Sequence, residues 1–143
     1  MSNKFRLIAF HALILFTLLL LNASVAWAQS AGTKPIYPIE FKPGEKTSTV
    51  EGMVTQPSGE GDMRDPGSER YSLKVRAGQT VKMEIGSDNA EAVFTLSTPD
   101  YEMVETAGSV KRWSGKLKFS GSYVITVFTR KDRSRFKLRV RLG

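Results

Sequence analysis

The stretch Trp113-Ser-Gly-Lys-Leu-Lys-Phe119, Ser120-Gly121-Ser122, Tyr123-Val-Ile-Thr-Val-Phe128, Thr129-Arg-Lys-Asp-Arg-Ser134, Arg135-Phe-Lys-Leu-Arg-Val-Arg-Leu142 decides the fold. Its last segment alternates charged and apolar residues almost without exception. Successive side chains of a strand point to opposite faces, so the pattern reads strand, turn, strand, turn, strand, with one face buried and the other wet. Trp113, Leu117 and Phe119 are assigned to the core from the first strand, with Lys116 and Lys118 in water. Tyr123, Ile125 and Val127 follow from the second, and Phe136, Leu138, Val140 and Leu142 from the third. The rest of the chain must supply the other half of that core.

Upstream the same signals recur. Ile39-Glu40-Phe41 reads as a short strand and Lys42-Pro43-Gly44-Glu45 as a turn. Thr47 to Thr55 is a Thr- and Val-rich strand in which Gly52 marks a bulge or a close backbone approach. Tyr71 to Arg76 and Val81 to Ile85 alternate cleanly around Ala77-Gly78-Gln79 and are expected to pair as a hairpin. Gly86 to Ala90 is a turn cluster, and Ala92 to Ser97 is a strand with Phe94 and Leu96 turned inward. Met103 to Val110 is either a weak strand or irregular. About eight short strands, turn signals roughly every 8–12 residues and no helical periodicity define an all-β chain, an antiparallel β-sandwich of jelly-roll-like type.

The start of the chain has a different character. Lys4 and Arg6 precede an apolar run, Leu7 to Leu21, and Ala26-Trp27-Ala28 offers an Ala-x-Ala cleavage site. This is the layout of a secretory signal peptide over residues 1–28, leaving a tether over 29–38 and one β-sandwich domain over 39–143. The apolar run falls short of the ~20 residues a spanning helix needs, so no transmembrane segment is expected after cleavage. The expected location is the periplasm or the exterior. The leader carries two cations and no acid, so its removal lowers the net charge from +7 to about +5. A basic exported domain favours anionic partners such as acidic protein clefts, anionic glycans or lipid head groups.

Cysteine is absent, and the single histidine, His11, lies in the leader. Nucleophile systems built on Cys-His or Ser-His-Asp, and metal sites built on His or Cys, are therefore excluded from the exported part. The long loop from Gln56 to Ser68 holds Glu60, Asp62 and Asp65. Their spacing is not that of an EF-hand, and Arg64 stands among them, so the loop reads as solvated. The acids are too scattered for a two-carboxylate glycosidase. No catalysis, cofactor or metal is expected. Nucleic acid is not expected either, since the chain is exported and lacks an exposed aromatic stacking platform. Arg135, Lys137, Arg139 and Arg141 form a row of cations at a pitch of ~6.8 Å along one strand face. The row either protects a sheet edge or binds an anion. Ser120-Gly121-Ser122 is a tight turn, and Thr129 to Ser134 is a longer, charged one.

The chain resembles the bacterial periplasmic inhibitors of g-type lysozyme. The matching features are Glu40-Phe41 followed by Gly44, Gly52 late in the second strand, Tyr71, Ala77 with Gly78-Gln79, and the strand at Val81. They continue with Leu117, Ser120-Gly121 with Tyr123, Thr129-Arg130 with Asp132, and the closing alternating strand. In outline it is also similar to pre-peptidase C-terminal domains, which are secreted β-sandwich modules. The first resemblance implies a non-enzymatic partner of g-type lysozyme that inserts loops into the substrate cleft. It places Ser120, Gly121, Ser122, Tyr123, Arg130 and Asp132 at the contact, with Arg130 paired to cleft carboxylates and Tyr123 either an anchor or a core residue. The alternative is a non-catalytic secreted β-sandwich module, pre-peptidase-like in outline, that binds anionic envelope glycan or lipid through the row Arg135, Lys137, Arg139 and Arg141.

Overall fold

The computed structural model describes residues 34–56 and 67–143. The signal-peptide reading, the beginning of the tether, and Glu60, Asp62 and Asp65 lie outside the described residues. The strands are β1 (Ile36–Pro38), β2 (Thr47–Thr55), β3 (Glu69–Val75), β4 (Thr80–Ser87), β5 (Ala92–Ser97), β6 (Arg112–Lys116), β7 (Gly121–Thr129) and β8 (Arg133–Leu142). They form two four-stranded sheets, ordered β1-β3-β7-β5 and β2-β8-β4-β6. All pairings are antiparallel except β1 with β3. The expected all-β sandwich is the fold observed.

Each strand lies in the opposite sheet from the one before it. The hairpin expected between Tyr71–Arg76 and Val81–Ile85 is therefore not formed: β3 pairs with β7, and β4 with β8. The expected run of three consecutive paired strands at the C-terminus is likewise split, with β7 in one sheet and β6 and β8 in the other. The physical reason is simple. Alternation fixes which face of a strand is buried, and two apolar faces are equally satisfied side by side or across the core.

The inward faces meet in one core. Tyr71, Leu73 and Val75 oppose Val81, Met83 and Ile85, with Phe94, Leu96, Tyr123, Ile125, Val127, Phe136, Leu138 and Val140 completing it. Phe119 is a correction. It is 60% exposed, because β6 ends at Lys116 and Leu117 already bonds across to Gln79 and Gly78. Trp113 is half-buried, its Nε1 donating to Thr106 Oγ1 at 3.3 Å.

β1 lies within the segment read as a tether, and Ile39-Glu40-Phe41 follows it. The Ile39 amide still donates to the Ser72 carbonyl at 2.9 Å, continuing the ladder for one residue. A strand ending in proline fits here because β1 is at an edge and pairs on one side only. The ambiguous stretch 103–110 is irregular, with left-handed Thr106 and Ser109. It nevertheless covers the outer edge of β5: Phe94 and Val110 exchange backbone bonds of 2.9 Å, and Leu96 bonds Ala107 and Val104. A paired edge is no longer a template for another chain.

Gly52 is a close approach. A Cβ there would stand 2.8 Å from Phe136 Cζ and nearer still to Glu69 Oε2. The space serves a small cluster in which Tyr71 donates its hydroxyl to Glu69 at 2.6 Å and sets its ring edge-on to Phe136. Two outcomes follow from this cluster. Gly52→Ala overpacks it and should cost about 1–3 kcal/mol in urea unfolding; an unchanged midpoint would contradict the packing. Burial, then the bond to and charge of Glu69, push the Tyr71 pKa far above its ordinary 10.0. The unfolded chain ionises Tyr71 above pH ~10 while the native state holds the proton, so stability falls as pH rises past 10. Tyr71→Phe should flatten that part of the pH–stability curve.

Candidate functional site

The residues singled out by sequence fall in three places. Ser120, Gly121, Ser122 and Tyr123 lie at one end of the sandwich, Arg130 and Asp132 at the other, and the cation row on an outer face. Gly121 begins β7 and Thr129 ends it. Eight residues at ~3.3 Å each separate the two ends by about 26 Å. The structure does not bring the two loop groups together.

At the first end, Ser120 is structural: its Oγ accepts the Ala77 amide at 2.8 Å and ties two inter-sheet crossings. Gly121 has φ +146° and lies against Pro99, where a Cβ would stand 2.7 Å from Cγ. Only glycine meets both conditions. Ser122 is exposed, whereas Tyr123 is 1% exposed. The Tyr123 hydroxyl bonds the backbone N and O of Phe119. A residue so buried is a core residue and offers no contact surface. Phe119 and Tyr101 are the exposed aromatics of this end.

The second end is held differently. Thr129 and Ser134, flanking the loop between β7 and β8, are inward-facing and at most 1% exposed. Their hydroxyls are 2.8 Å apart, and Ser134 Oγ donates to Asn89 Oδ1 at 2.7 Å. Thr129 Oγ1 bonds Lys131 O at 2.8 Å. Asn89 Nδ2 donates to Arg133 O at 3.0 Å, and Asp88 Oδ1 accepts the Arg135 amide at 3.1 Å. The turn between β4 and β5 is thus bolted to the Arg130 loop. Asp132 has φ +32° and its carbonyl accepts the Gln56 amide at 2.6 Å, fixing the loop from the other side. Arg130 is exposed and rests one guanidinium nitrogen on Ser109 O at 3.2 Å. The weak single contact leaves the guanidinium fork available to a carboxylate.

Sequence reasoning missed the part played by Asn89 and Ser134. A signal was present. By the alternation of Phe136, Leu138 and Val140, Ser134 falls at an inward position, as Thr129 does after Tyr123, Ile125 and Val127. Two polar residues at core positions imply a buried partner.

The cation row is on one face, as expected, with Arg135, Lys137, Arg139 and Arg141 all exposed. The edge-protection reading fails, because β8 is an inner strand of its sheet, between β2 and β4. Lys137 is paired with Glu51 at 2.7 Å. Among the described residues no group of three or more His, Cys, Asp or Glu is placed to hold a metal ion.

No family model and no curated protein sequence matches the chain. Solved structures do. The fold is that of a small β-sandwich class that includes lysozyme inhibitors and pre-peptidase C-terminal domains. PliG of Aeromonas hydrophila, a periplasmic inhibitor of g-type lysozyme, is similar with TM-score 0.59 and 23% identity, covering 76% of this chain and 96% of that one. PliG of Salmonella Typhimurium, of the same description, gives TM-score 0.57 and 16% identity over 78% of this chain and 100% of that one. The pre-peptidase C-terminal domain of Bacillus anthracis collagenase gives TM-score 0.51 and 12% identity over 76% and 98%. At these identities the likeness is one of fold.

Ser134→Ala should expose the role of the network. It strips Asn89 Oδ1 and Thr129 Oγ1 of a buried partner, and a loss of about 1–3 kcal/mol is expected. Faster amide exchange should be confined to 88–91 and 129–134; a change spread evenly over the sandwich would contradict a local bolt.

Proposed function

We propose that this protein is an exported, non-catalytic inhibitor of g-type lysozyme that blocks the substrate cleft with the loop between β7 and β8. The observation that carries the reading is the state of that loop. An exposed arginine stands on a short crossing whose flanks are fixed by the buried, partnered hydroxyls of Thr129 and Ser134, tied in turn to the Asn89 side chain. A loop ordered before binding loses little entropy on binding, which is what a tight blocking contact requires. The likeness in fold to the two PliG proteins, over nearly their whole length, supports the same reading.

A glycosidase cleft carries acidic groups and is shaped for an extended sugar chain. Arg130 projects a planar fork of donors into such a cleft and pairs with a carboxylate, worth about 1.5–3 kcal/mol for a charged hydrogen bond. A row of four further cations, Arg135, Lys137, Arg139 and Arg141, points from the outer face of the β2-β8-β4-β6 sheet. A basic lysozyme approaching the loop end is therefore not met by that face. Export to the periplasm is part of this reading.

The test is a cell-wall lysis assay with the processed protein against g-type, c-type and i-type lysozymes. Dose-dependent inhibition selective for the g-type is expected. Arg130→Ala should weaken it about tenfold or more, while Phe119→Ser, at the opposite end, leaves it unchanged. Inhibition lost with Phe119→Ser but kept with Arg130→Ala would move the contact to the other end. A folded protein that inhibits no lysozyme rejects the function.

A further inference from the structure

We infer that the outer face of the β2-β8-β4-β6 sheet binds an anionic polysaccharide through Lys82, Arg139 and Arg141. The inference goes beyond the inhibitor reading and is independent of it. It starts from the register. Across the sheet, one row of outward residues reads Thr47, Arg141, Lys82, Ser114. The next reads Thr49, Arg139, Glu84, Arg112, and the next Glu51, Lys137, Gly86. The third row is neutralised by the Lys137–Glu51 pair at 2.7 Å. In the second, Glu84 is held by Arg112 at 2.7 Å, which leaves Arg139 without an ion pair among the described residues. The first row contains no acid at all.

Lys82 and Arg141 are thus directly opposite each other, neither has an ion pair among the described residues, and the acid of the next row, Glu84, is held by Arg112. Like charges at opposed positions destabilise a sheet. Folding gains nothing from this pair, and a neutral residue at either position would serve the ladder better. A local conflict that the fold does not need is the kind of feature a binding site retains.

The same residues line a hollow. It has a volume of about 450 Å³, and its lining takes in Lys82, Glu84, Arg112, Ser114, Arg139 and Arg141, with the Glu84 carboxylate held by Arg112. The lining spans β8, β4 and β6. The backbone amides of β4 and β8 are spent in the ladders on both sides, so recognition rests on side-chain charge. Arg139 and Arg141 repeat at ~6.8 Å, a spacing that meets successive acidic groups on a chain better than one compact anion. Trp113 faces the other way, packed on the core with its Nε1 bonded to Thr106 Oγ1, so recognition on this face rests on the spacing of the charges. Of the exposed large hydrophobic side chains, Tyr37, Tyr101, Met103 and Phe119 lie outside this sheet, and Met53 stands by Arg135, away from the hollow. A lipid bilayer would find no apolar anchor there.

The experiment is calorimetric titration of the protein, purified after export, with polygalacturonate oligomers at low and moderate salt. Neutral dextran and phosphatidylglycerol vesicles are the comparison probes. Binding to polygalacturonate that weakens with salt, with none to dextran, is expected. Lys82→Ser combined with Arg141→Ser should weaken it about tenfold or more, without lowering the melting temperature and without affecting lysozyme inhibition. Lys137→Ser, which removes a neutralised cation, should change binding less than about twofold. Equal losses in the two variants would reduce the effect to net charge and overturn the site. Binding to vesicles alone, or to none of the probes, would overturn it as well.

Discussion

The structure depends on a chain that changes sheet at every turn. Each strand buries its apolar face against the opposite sheet and finds its hydrogen-bonding neighbour elsewhere in the sequence. The longest ladder joins β2 to β8, from Thr47↔Arg141 to Thr55↔Arg133. No strand pair is closed by a tight turn, so loop entropy must be lost before any ladder rewards it. The core is what makes that exchange favourable, and it does so without disulfides, since the chain has no cysteine. A further consequence concerns the loops. Consecutive strands lie in different sheets, so the connections among the described residues lie at the two ends of the sandwich.

The two ends are stabilised by different means. At the Ser120 end, glycine geometry and backbone bonds close the crossing tightly around the Tyr123 hydroxyl. At the Arg130 end the crossing carries several charges and cannot bury apolar weight of its own. Hydroxyl groups at two inward positions and the Asn89 amide take the place of that weight. Both ends are ordered; the first carries the exposed Arg76 and Lys118, and the second the exposed Arg130. The proposed contact lies at the second end, and the cationic sheet face is a separate surface.

Much of this was legible in the sequence, and the limits have a physical cause. Period-two alternation identified the inward residues of β3, β4, β7 and β8 correctly, because burial of one face is a property of a strand by itself. It did not reveal which strands are neighbours. The β3–β4 hairpin was a reasonable expectation from the short Ala77-Gly78-Gln79 link, yet the same link crosses between sheets. The same gap hid the position of β8 at the centre of its sheet, and with it the meaning of the cation row. Lys82 could be read only as solvated until its place opposite Arg141 was known. Phe119 was misplaced because alternation was extended past the end of β6. Ser134 and Thr129, by contrast, were readable as polar residues at core positions, and their partner Asn89 was the one term that needed the fold.

The central claim is that one end of the sandwich, and only that end, enters a lysozyme cleft. Amide hydrogen exchange of the protein, alone and with a saturating g-type lysozyme, addresses it without altering a residue. The account predicts new protection in 129–134 and 88–91, with 98–103 and 117–121 exchanging as in the free protein. Protection at 117–121, or none anywhere, would contradict it.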